Sequence, residues 1–482
     1  MKLTPDQVAR TIGGEWLAHP DAKCARTAIR EISIDSRTVC AGDLFWAIKG
    51  ERFDGNDFVD AAIEQGAVAA VVSRATGSDG VRNRLIKVDD TLASLRHMAA
   101  EWRARHSCRV IAVTGSSGKT TTKELISSIL MQRYNCLKTE GNKNNLIGVS
   151  LTLLHMAEGH EAAVVELGMN HLGEIAQLTS MVRPSIGVIT NIGRAHIGFL
   201  GSVNCIIDAK SELLQGMDSD GMAVLNRDDP YYYILVERCP NGVITVGESD
   251  DADVRIHGIT LLPEEGMTEV TVIVKGEPIT ATLPILGRTA AYNLSMAVAV
   301  ALHMGCGKHE IMDGVAAFTP VLNRMHHKVV RGIHILDDSY NANPESMHSA
   351  LNTLSECKGS NRSVAILGDM LELGNQSECL HRQLGQWLGH NRRLDFLITI
   401  GPQARIMAEE AVKMGYPCRN VWSLKEHEEI SLLACSLVDS GDWVLIKGSR
   451  LMGLDRVSAR IVELINARNG VQKRMAHTEG LY

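Results

Sequence analysis

The chain has 482 residues, of which 45% are apolar and 4% aromatic, and a formal net charge of −7. That length favours two to four domains, each with its own core built on Ala, Val, Ile, Leu and Met. The acidic balance excludes a nonspecific nucleic-acid binder, which needs basic excess to release counterions. An anionic ligand must then be gripped locally.

Eleven cysteines are present, none spaced as a CxxC pair. This predicts reduced, mostly buried thiols in a cytoplasmic protein. The N-terminal stretch MKLTPDQVARTIGGEW is polar and lacks the apolar core of a signal peptide. No run approaches the ~18 apolar residues needed to span a bilayer.

Residues 1–86 mix short strands with short helices, as in Ile32-Ser33-Ile34-Asp35 and Val68–Val72. A helical pattern over Thr91–Arg105 leads into a second unit, taken as 87–320. It opens with Arg109-Val110-Ile111-Ala112-Val113, a β-branched apolar run that suits a buried parallel strand. A glycine loop follows, then helical periodicity over Lys123–Gln132. Further strands are predicted at Ala162–Glu166, Ile186–Thr190 and Met222–Asn226, with helices between, which predicts a doubly wound α/β domain. Val270–Val274 and Ile279–Leu283 read as antiparallel strands around Lys275-Gly276-Glu277, followed by an alanine-rich helix from about Ala290 to Met304. A third α/β unit, 321–482, has strand candidates Ile333–Leu336, Ser363–Leu367, Phe396–Ile400 and Trp443–Ile446. Gln472–Tyr482 reads as a loose tail.

The loop Thr114-Gly115-Ser116-Ser117-Gly118-Lys119-Thr120-Thr121 stands between strand and helix, the context that a phosphate-binding loop requires. Backbone N–H groups there would point at an anion, with the helix dipole adding to the attraction. Lys119 would reach the β- and γ-phosphates of ATP, and Thr120 would ligate Mg²⁺. The usual G-x-x-x-x-G-K-[ST] spacing needs glycine at 113, and Val113 stands there. The competing reading is a tight strand–helix turn with a solvated lysine.

Glu166 ends a strand and would face a ligand crevice, as a Mg²⁺ ligand or as a capping or salt-bridged residue. Asn191 ends the next strand, and His196 follows it as either a structural or a ligand histidine. Lys210 reads locally as a solvated helix lysine. Asp337-Asp338 ends a strand and would hold a metal, a water or a basic side chain; Asn341-Ala342-Asn343-Pro344 then turns the chain.

Six stretches resemble one family. Thr114–Thr121 is similar to the TG-x-x-GKTT loop of the Mur ligases and the related folylpolyglutamate synthases. Thr139–Gly148, Glu166–Asn170, Asp337–Pro344, Leu367–Gly374 and Lys447–Arg450 resemble, in order, GN-x-NN-x-IG, ELGMN, DDSYNANP, LGDMLELG and KGSR of the Mur branch that adds D-alanyl-D-alanine. The resemblance covers nearly the whole chain.

It implies an α/β fold of three domains: a small N-terminal α/β domain for a UDP-sugar, a central doubly wound P-loop ATPase sheet, and a C-terminal Rossmann-like α/β domain that closes over the site. It implies an ADP-forming amide ligase acting on UDP-N-acetylmuramoyl-tripeptide and D-alanyl-D-alanine in peptidoglycan precursor synthesis, monomeric and without a nucleic-acid partner. By motif, Gly115 to Thr121 hold ATP phosphates, and Asn293, Arg324 and Asp338 contact the nucleotide. Glu166 and His196 join Thr120 as ligands of two Mg²⁺. Lys210 falls where the family carries a carbamylated lysine. Lys119, Lys210, His196 and Glu166 then form the catalytic set. Substrate contacts fall on Ser33, Asp35, Ser36, Arg37, Lys49, Asp54, Asn142, Asn145, Asn341, Asn343, Ser449 and Arg450. Thr289-Ala290, Asn323 and Ser150 depart from the family pattern, Asn323 in a glycine's place where Asn can keep a left-handed backbone. The alternatives are another Mur-type or folylpolyglutamate-type amide ligase, a P-loop ATPase that couples hydrolysis to motion, and a noncatalytic binding module.

Overall fold

The computed structural model describes residues 3–240, 242–391 and 393–478, with side chains through Ala467. The chain folds into three α/β domains, each built on its own sheet. The N-terminal sheet has five strands, in the order Glu15–Trp16, Leu85–Lys87, Ala69–Val72, Leu44–Trp46, Ile32–Ser33. All its pairings are parallel except that of Glu15–Trp16.

The central sheet has nine strands. Arg109–Thr114 sits between Ala162–Glu166 and Ile186–Ile189, parallel to both. Strand order reverses about this strand, and in open α/β sheets the ligand crevice opens at the carboxyl ends beside such a switch. The alternation of its side chains is readable in the packing. Val110 and Ala112 join the core under helices Thr91–Ala104, Leu146–Leu154 and Val203–Gln215. Ile111 and Val113 join the core under Lys119–Leu130 and Thr289–His303. Both faces are covered, which is why its run Val110–Val113 is apolar.

The far edge of the central sheet is antiparallel, with Met267–Val274 paired to Glu277–Leu283 around Lys275 and Gly276, as predicted. The sequence reading left out Gly242–Gly247 and Val254–Leu262, which join this edge to the parallel half. Gly242–Gly247 is bounded by glycines and interrupted by Thr245, and Val254–Leu262 is interrupted by Arg255, His257 and Thr260, so neither shows the continuous apolar run of a core strand.

The C-terminal sheet has six strands, and the four predicted ones form its parallel centre. Its edges are His326–Val330, antiparallel, and Val421–Leu424, neither anticipated. The tail reading needs correction: Gln472–Thr478 continue the helix Leu454–Thr478, and 479–482 lie outside the described residues. The helix after the phosphate loop begins at Lys119, four residues before its apolar periodicity starts. Six of the eleven cysteines are buried and three exposed, and the described residues contain no disulfide. Among them no helix is long and apolar enough to cross a membrane.

Candidate functional site

The glycine loop is shaped by its neighbours. Gly115 has φ +145°, and a Cβ there would stand 1.8 Å from Thr190 Oγ1, so no side chain fits. Gly118 has φ +82° and lies against Asn293, whose Oδ1 would be 2.6 Å from an added Cβ. Between them, Ser117 N donates to Asn191 Oδ1 at 2.9 Å and Ser116 N to Asn191 O at 3.0 Å. Ser116 Oγ accepts from Gly193 N and donates to Gly193 O, at 2.8 and 3.0 Å. Gly118 gives the helix Lys119–Leu130 no side-chain cap, so its first amides face the cavity as an anion site. Val113 is a buried strand residue paired with Glu166, and the loop starts two residues later than the usual spacing requires.

A cavity of about 650 Å³ opens over this loop. Its wall includes Ser116 to Thr121, Asn142, Asn145, Glu166, His196, Asn293, Arg324, Asp338, Asn341 and Asn343, all singled out from the sequence. Two buried polar atoms on that wall, Thr120 Oγ1 and Glu166 Oε2, lack a hydrogen-bond partner, and a third, His196 Nδ1, meets only Glu372. An unpaired buried polar group costs about 1–3 kcal/mol, so two in one cavity mark a place built for a ligand. They belong to the residues expected to hold Mg²⁺. Among the described residues no group of three or more His, Cys, Asp and Glu gathers to hold a metal unaided. A Mg²⁺ site that shares its coordination with phosphate and water does not need one.

Glu166 is held from both sides: Asn144 Nδ2 donates to Oε1 at 2.8 Å, and its own N donates to Thr139 Oγ1 at 3.1 Å. His196 Nδ1 meets Glu372 Oε2 at 2.7 Å, and this contact lowers the Glu372 pKa. Lys119 Nζ donates to Gly115 O at 2.7 Å. Its amine lines the cavity yet is surrounded by protein; desolvation lowers its pKa, and Glu166 partly offsets this.

Lys210 overturns the solvated reading. It is 1% exposed, on the inner face of Val203–Gln215, and does not line the cavity. Desolvation, followed by repulsion from Lys119, pushes its pKa well below the usual lysine value. No hydrogen bond or ion pair is formed by its amine among the described residues.

The C-terminal domain supplies the opposite wall. Asn343 caps the helix Pro344–Cys357 and reaches across to the loop, with Nδ2 3.1 Å from Ser117 Oγ. Asp338 Oδ2 pairs with Lys447 Nζ at 2.5 Å, and Lys447 also donates to Asn341 O at 3.0 Å. Arg324 stacks over Tyr340 at 4.0 Å, and Arg450 approaches the same ring at 5.8 Å. Asn323 has φ +62°, the left-handed backbone expected for a residue in a glycine's place. Asn293 Oδ1 accepts from Thr122 Oγ1 at 3.2 Å and so ties two helices at the loop.

Other expected residues stand elsewhere. Ser33, Asp35, Ser36, Arg37, Lys49 and Asp54 lie in the N-terminal domain and do not line this cavity. There Arg37 Nη2 pairs with Asp35 at 2.6 Å and holds that carboxyl well below the usual range. Asp54 caps the turn Gly55–Phe58. Ser449 is structural in this state: its Oγ accepts from Leu371 N at 2.8 Å. Ser449 and Arg450 also lie outside the cavity wall.

Wall residues not singled out for a role include Asn144, Asn191, Glu372 and Lys447. Asn144, Glu372 and Lys447 lie inside the motif stretches quoted above, and Asn191 ends a predicted strand. Their importance is carried by partners from distant sequence, which local pattern does not show.

Known proteins match along most of the chain. The descriptions "Mur ligase family, catalytic domain", "Mur ligase middle domain" and "Mur ligase, glutamate ligase domain" match residues 28–103, 113–301 and 323–450. The UDP-N-acetylmuramoyl-tripeptide–D-alanyl-D-alanine ligase of Bacillus subtilis is 34% identical over 464 residues, 96% of this chain and 99% of the relative. A crystal structure of MurF from Acinetobacter baumannii superposes with a TM-score of 0.85 at 31% identity, covering 95% of this chain and 98% of that one. MurF ligase from Thermotoga maritima, in complex with ADP, gives 0.80 at 29% identity over 91% and 98%.

Proposed function

The chain belongs to the Mur ligase family, and from that premise we propose that it joins D-alanyl-D-alanine to UDP-N-acetylmuramoyl-tripeptide at the expense of ATP. The reaction is a step of peptidoglycan precursor synthesis in the cytoplasm. One observation carries this reading at the level of the site. Thr120 and Glu166 turn unpaired buried atoms into a cavity that also holds His196, a phosphate loop and a wall from the C-terminal domain. ATP use is supported further by the ADP-bound relative.

The terminal carboxylate of the tripeptide attacks the γ-phosphorus, the bond to the β–γ bridging oxygen breaks, and ADP leaves with an acyl phosphate formed. The free amine of D-alanyl-D-alanine then attacks the acyl carbon and loses a proton; inorganic phosphate departs and an amide remains. Catalysis of the first step is mostly positioning and charge neutralisation. The loop Gly115 to Thr121 cradles the phosphates through the amides of Gly118 to Thr121, those of Ser116 and Ser117 being held by Asn191. Lys119 leaves its contact with Gly115 O to meet the β- and γ-phosphates. Thr120, Glu166 and His196 are the residues that would hold Mg²⁺, which neutralises phosphate charge when bound. Asn293, Arg324 and Asp338 flank the nucleotide. Asn142, Asn145, Asn341, Asn343, Ser449 and Arg450 border the path of the peptide. Ser33, Asp35, Ser36, Arg37, Lys49 and Asp54 receive the UDP-sugar in the N-terminal domain, with domain limits near 86 and 320.

Lys210 is read as a carbamate. Burial beside the Lys119 charge favours the neutral amine, the form that adds CO₂ and releases a proton. The product carboxylate answers the Lys119 charge instead of repeating it. Lys210→Ala should then be nearly inactive and partly restored by added short carboxylates; no restoration at any concentration removes the carbamate.

The deciding experiment measures phosphate release from ATP with UDP-N-acetylmuramoyl-tripeptide, with and without D-alanyl-D-alanine. Release that requires both, with amide product, is expected. Release independent of both would make the chain an ATPase instead.

A further inference from the structure

The segment Asn191–Gly201 is fastened at one end to the phosphate loop, through Asn191 and Gly193 on Ser116 and Ser117. Its other end is fastened to the C-terminal domain. Gly198 N donates to Glu372 O at 2.8 Å, and Gln376 Nε2 donates to Gly201 O at 3.2 Å. The backbones at Gly198 and Gly374 touch: a Cβ on Gly198 would stand 2.4 Å from Gly374 N. Arg194 N donates to Glu345 Oε2 at 3.0 Å. At the centre of this seam two non-glycine residues face each other, both left-handed, His196 with φ +63° and Glu372 with φ +63°. Each such residue costs of order 1–2 kcal/mol and persists only where its surroundings over-determine it. Their side chains meet at 2.7 Å on the cavity wall, one from each domain.

We propose that Glu372 is a positioning residue: through it, the seated C-terminal domain fixes His196 and completes the phosphate site. This rests on the ligase reading. The central domain alone holds Thr120 and Glu166 in place by its own contacts. It does not hold His196, whose ring nitrogen meets a carboxylate only from the other domain. The C-terminal domain thereby reaches the phosphate site through the Asn191–Gly201 segment.

The test uses full-length Glu372→Gln and Glu372→Ala. Residues acting through a ligand-holding neighbour cost about 10–100-fold on removal, so Glu372→Ala should lose about that factor in kcat, and the isosteric Gln should recover part of it. ADP affinity by calorimetry should stay within about 3-fold of the parent, because the loop amides are untouched. Amide hydrogen exchange at Gly198 to Gly201 should accelerate in Glu372→Ala while Ser116 and Ser117, bonded to Asn191, stay protected. Unchanged exchange and unchanged kcat in both variants would overturn the proposal. So would a fall in ADP affinity matching the fall in kcat, which would make Glu372 a nucleotide contact. The exchange measurement reads the seam even if the parent enzyme fails to ligate, so failure of the ligase reading is seen separately.

Discussion

Two cavities of nearly equal size, about 650 and 630 Å³, lie on different sides of the central domain, and they differ in how their polar groups are satisfied. The first leaves Thr120 Oγ1 and Glu166 Oε2 unpaired. The second, between the N-terminal domain and the ends of helices Thr91–Ala104 and Leu146–Leu154, has its main polar groups already engaged. Arg30 is bidentate to Asp43 at 2.8 and 2.9 Å, His155 Nε2 meets Glu31 at 2.8 Å, and Trp102 Nε1 donates to Met156 O at 3.0 Å. Volume does not separate the two; unmet hydrogen-bonding and charge do. Folding tolerates such atoms where binding will satisfy them.

The largest test of that contrast is Lys119→Ala. Removing one preorganised charge from a phosphate-transfer site costs roughly 10²–10³-fold in kcat, and a lysine that meets two phosphates belongs at or above the upper end. Steady-state ligation with UDP-tripeptide and D-alanyl-D-alanine measures it. Near-parental turnover would break the contrast, since the unpaired atoms around Lys119 would then mark nothing.

The sequence made the first cavity legible and left its closure obscure, for a physical reason. Gly115, Gly118, Lys119 and Thr120 act through backbone angles and a helix start, all local, so spacing reveals them. Glu166 was readable because a carboxylate ending an apolar strand has one place to point. Lys210 misled because burial depends on packing around Val203–Gln215, and helical lysines usually reach solvent. Glu372 and Lys447 stayed unassigned because each acts on a residue more than a hundred positions away, His196 and Asp338. The edge strands His326–Val330 and Val421–Leu424 escaped for the related reason that half-buried edges need no continuous apolar run.

A middle case tests whether groups that satisfy each other behave as satisfied. His327 Nε2 and His334 Nδ1 meet at 3.0 Å, and both rings stack on Trp443. Glu264 approaches His334 Nε2 at 3.7 Å, His326 lies beside them, and Lys328 pairs with Asp337 at 3.5 Å. The Gly266 turn of the central domain packs directly on His327. Desolvation, then His334 and His326, lower the His327 pKa to about 4. The unfolded chain takes up that proton near pH 6.5, so the folded state binds fewer protons between the two values. Stability from this site is therefore complete above about pH 6.5 and falls as pH drops toward 4. With solvent screening the loss is on the order of 1–2 kcal/mol. Thermal unfolding at pH 7 and pH 5 should differ more for the parent than for His327→Gln; equal differences would remove His327 as the cause.

The smallest effect is expected in the second cavity. His155 and Glu31 are each about half exposed, with side-chain values of 50% and 46%, and they join two domains on the face away from the phosphate loop. Exposed pairs of this kind contribute about 0.2–1 kcal/mol, and neither residue faces an unpaired buried atom. His155→Gln should leave kcat and all three substrate KM values within about 2-fold and move the melting temperature by only a few degrees at most. A loss of activity near that of Lys119→Ala would mean that satisfied polar groups can carry function as strongly as unsatisfied ones. The rule separating the two cavities would then have to rest on how the N-terminal domain is held against the central one.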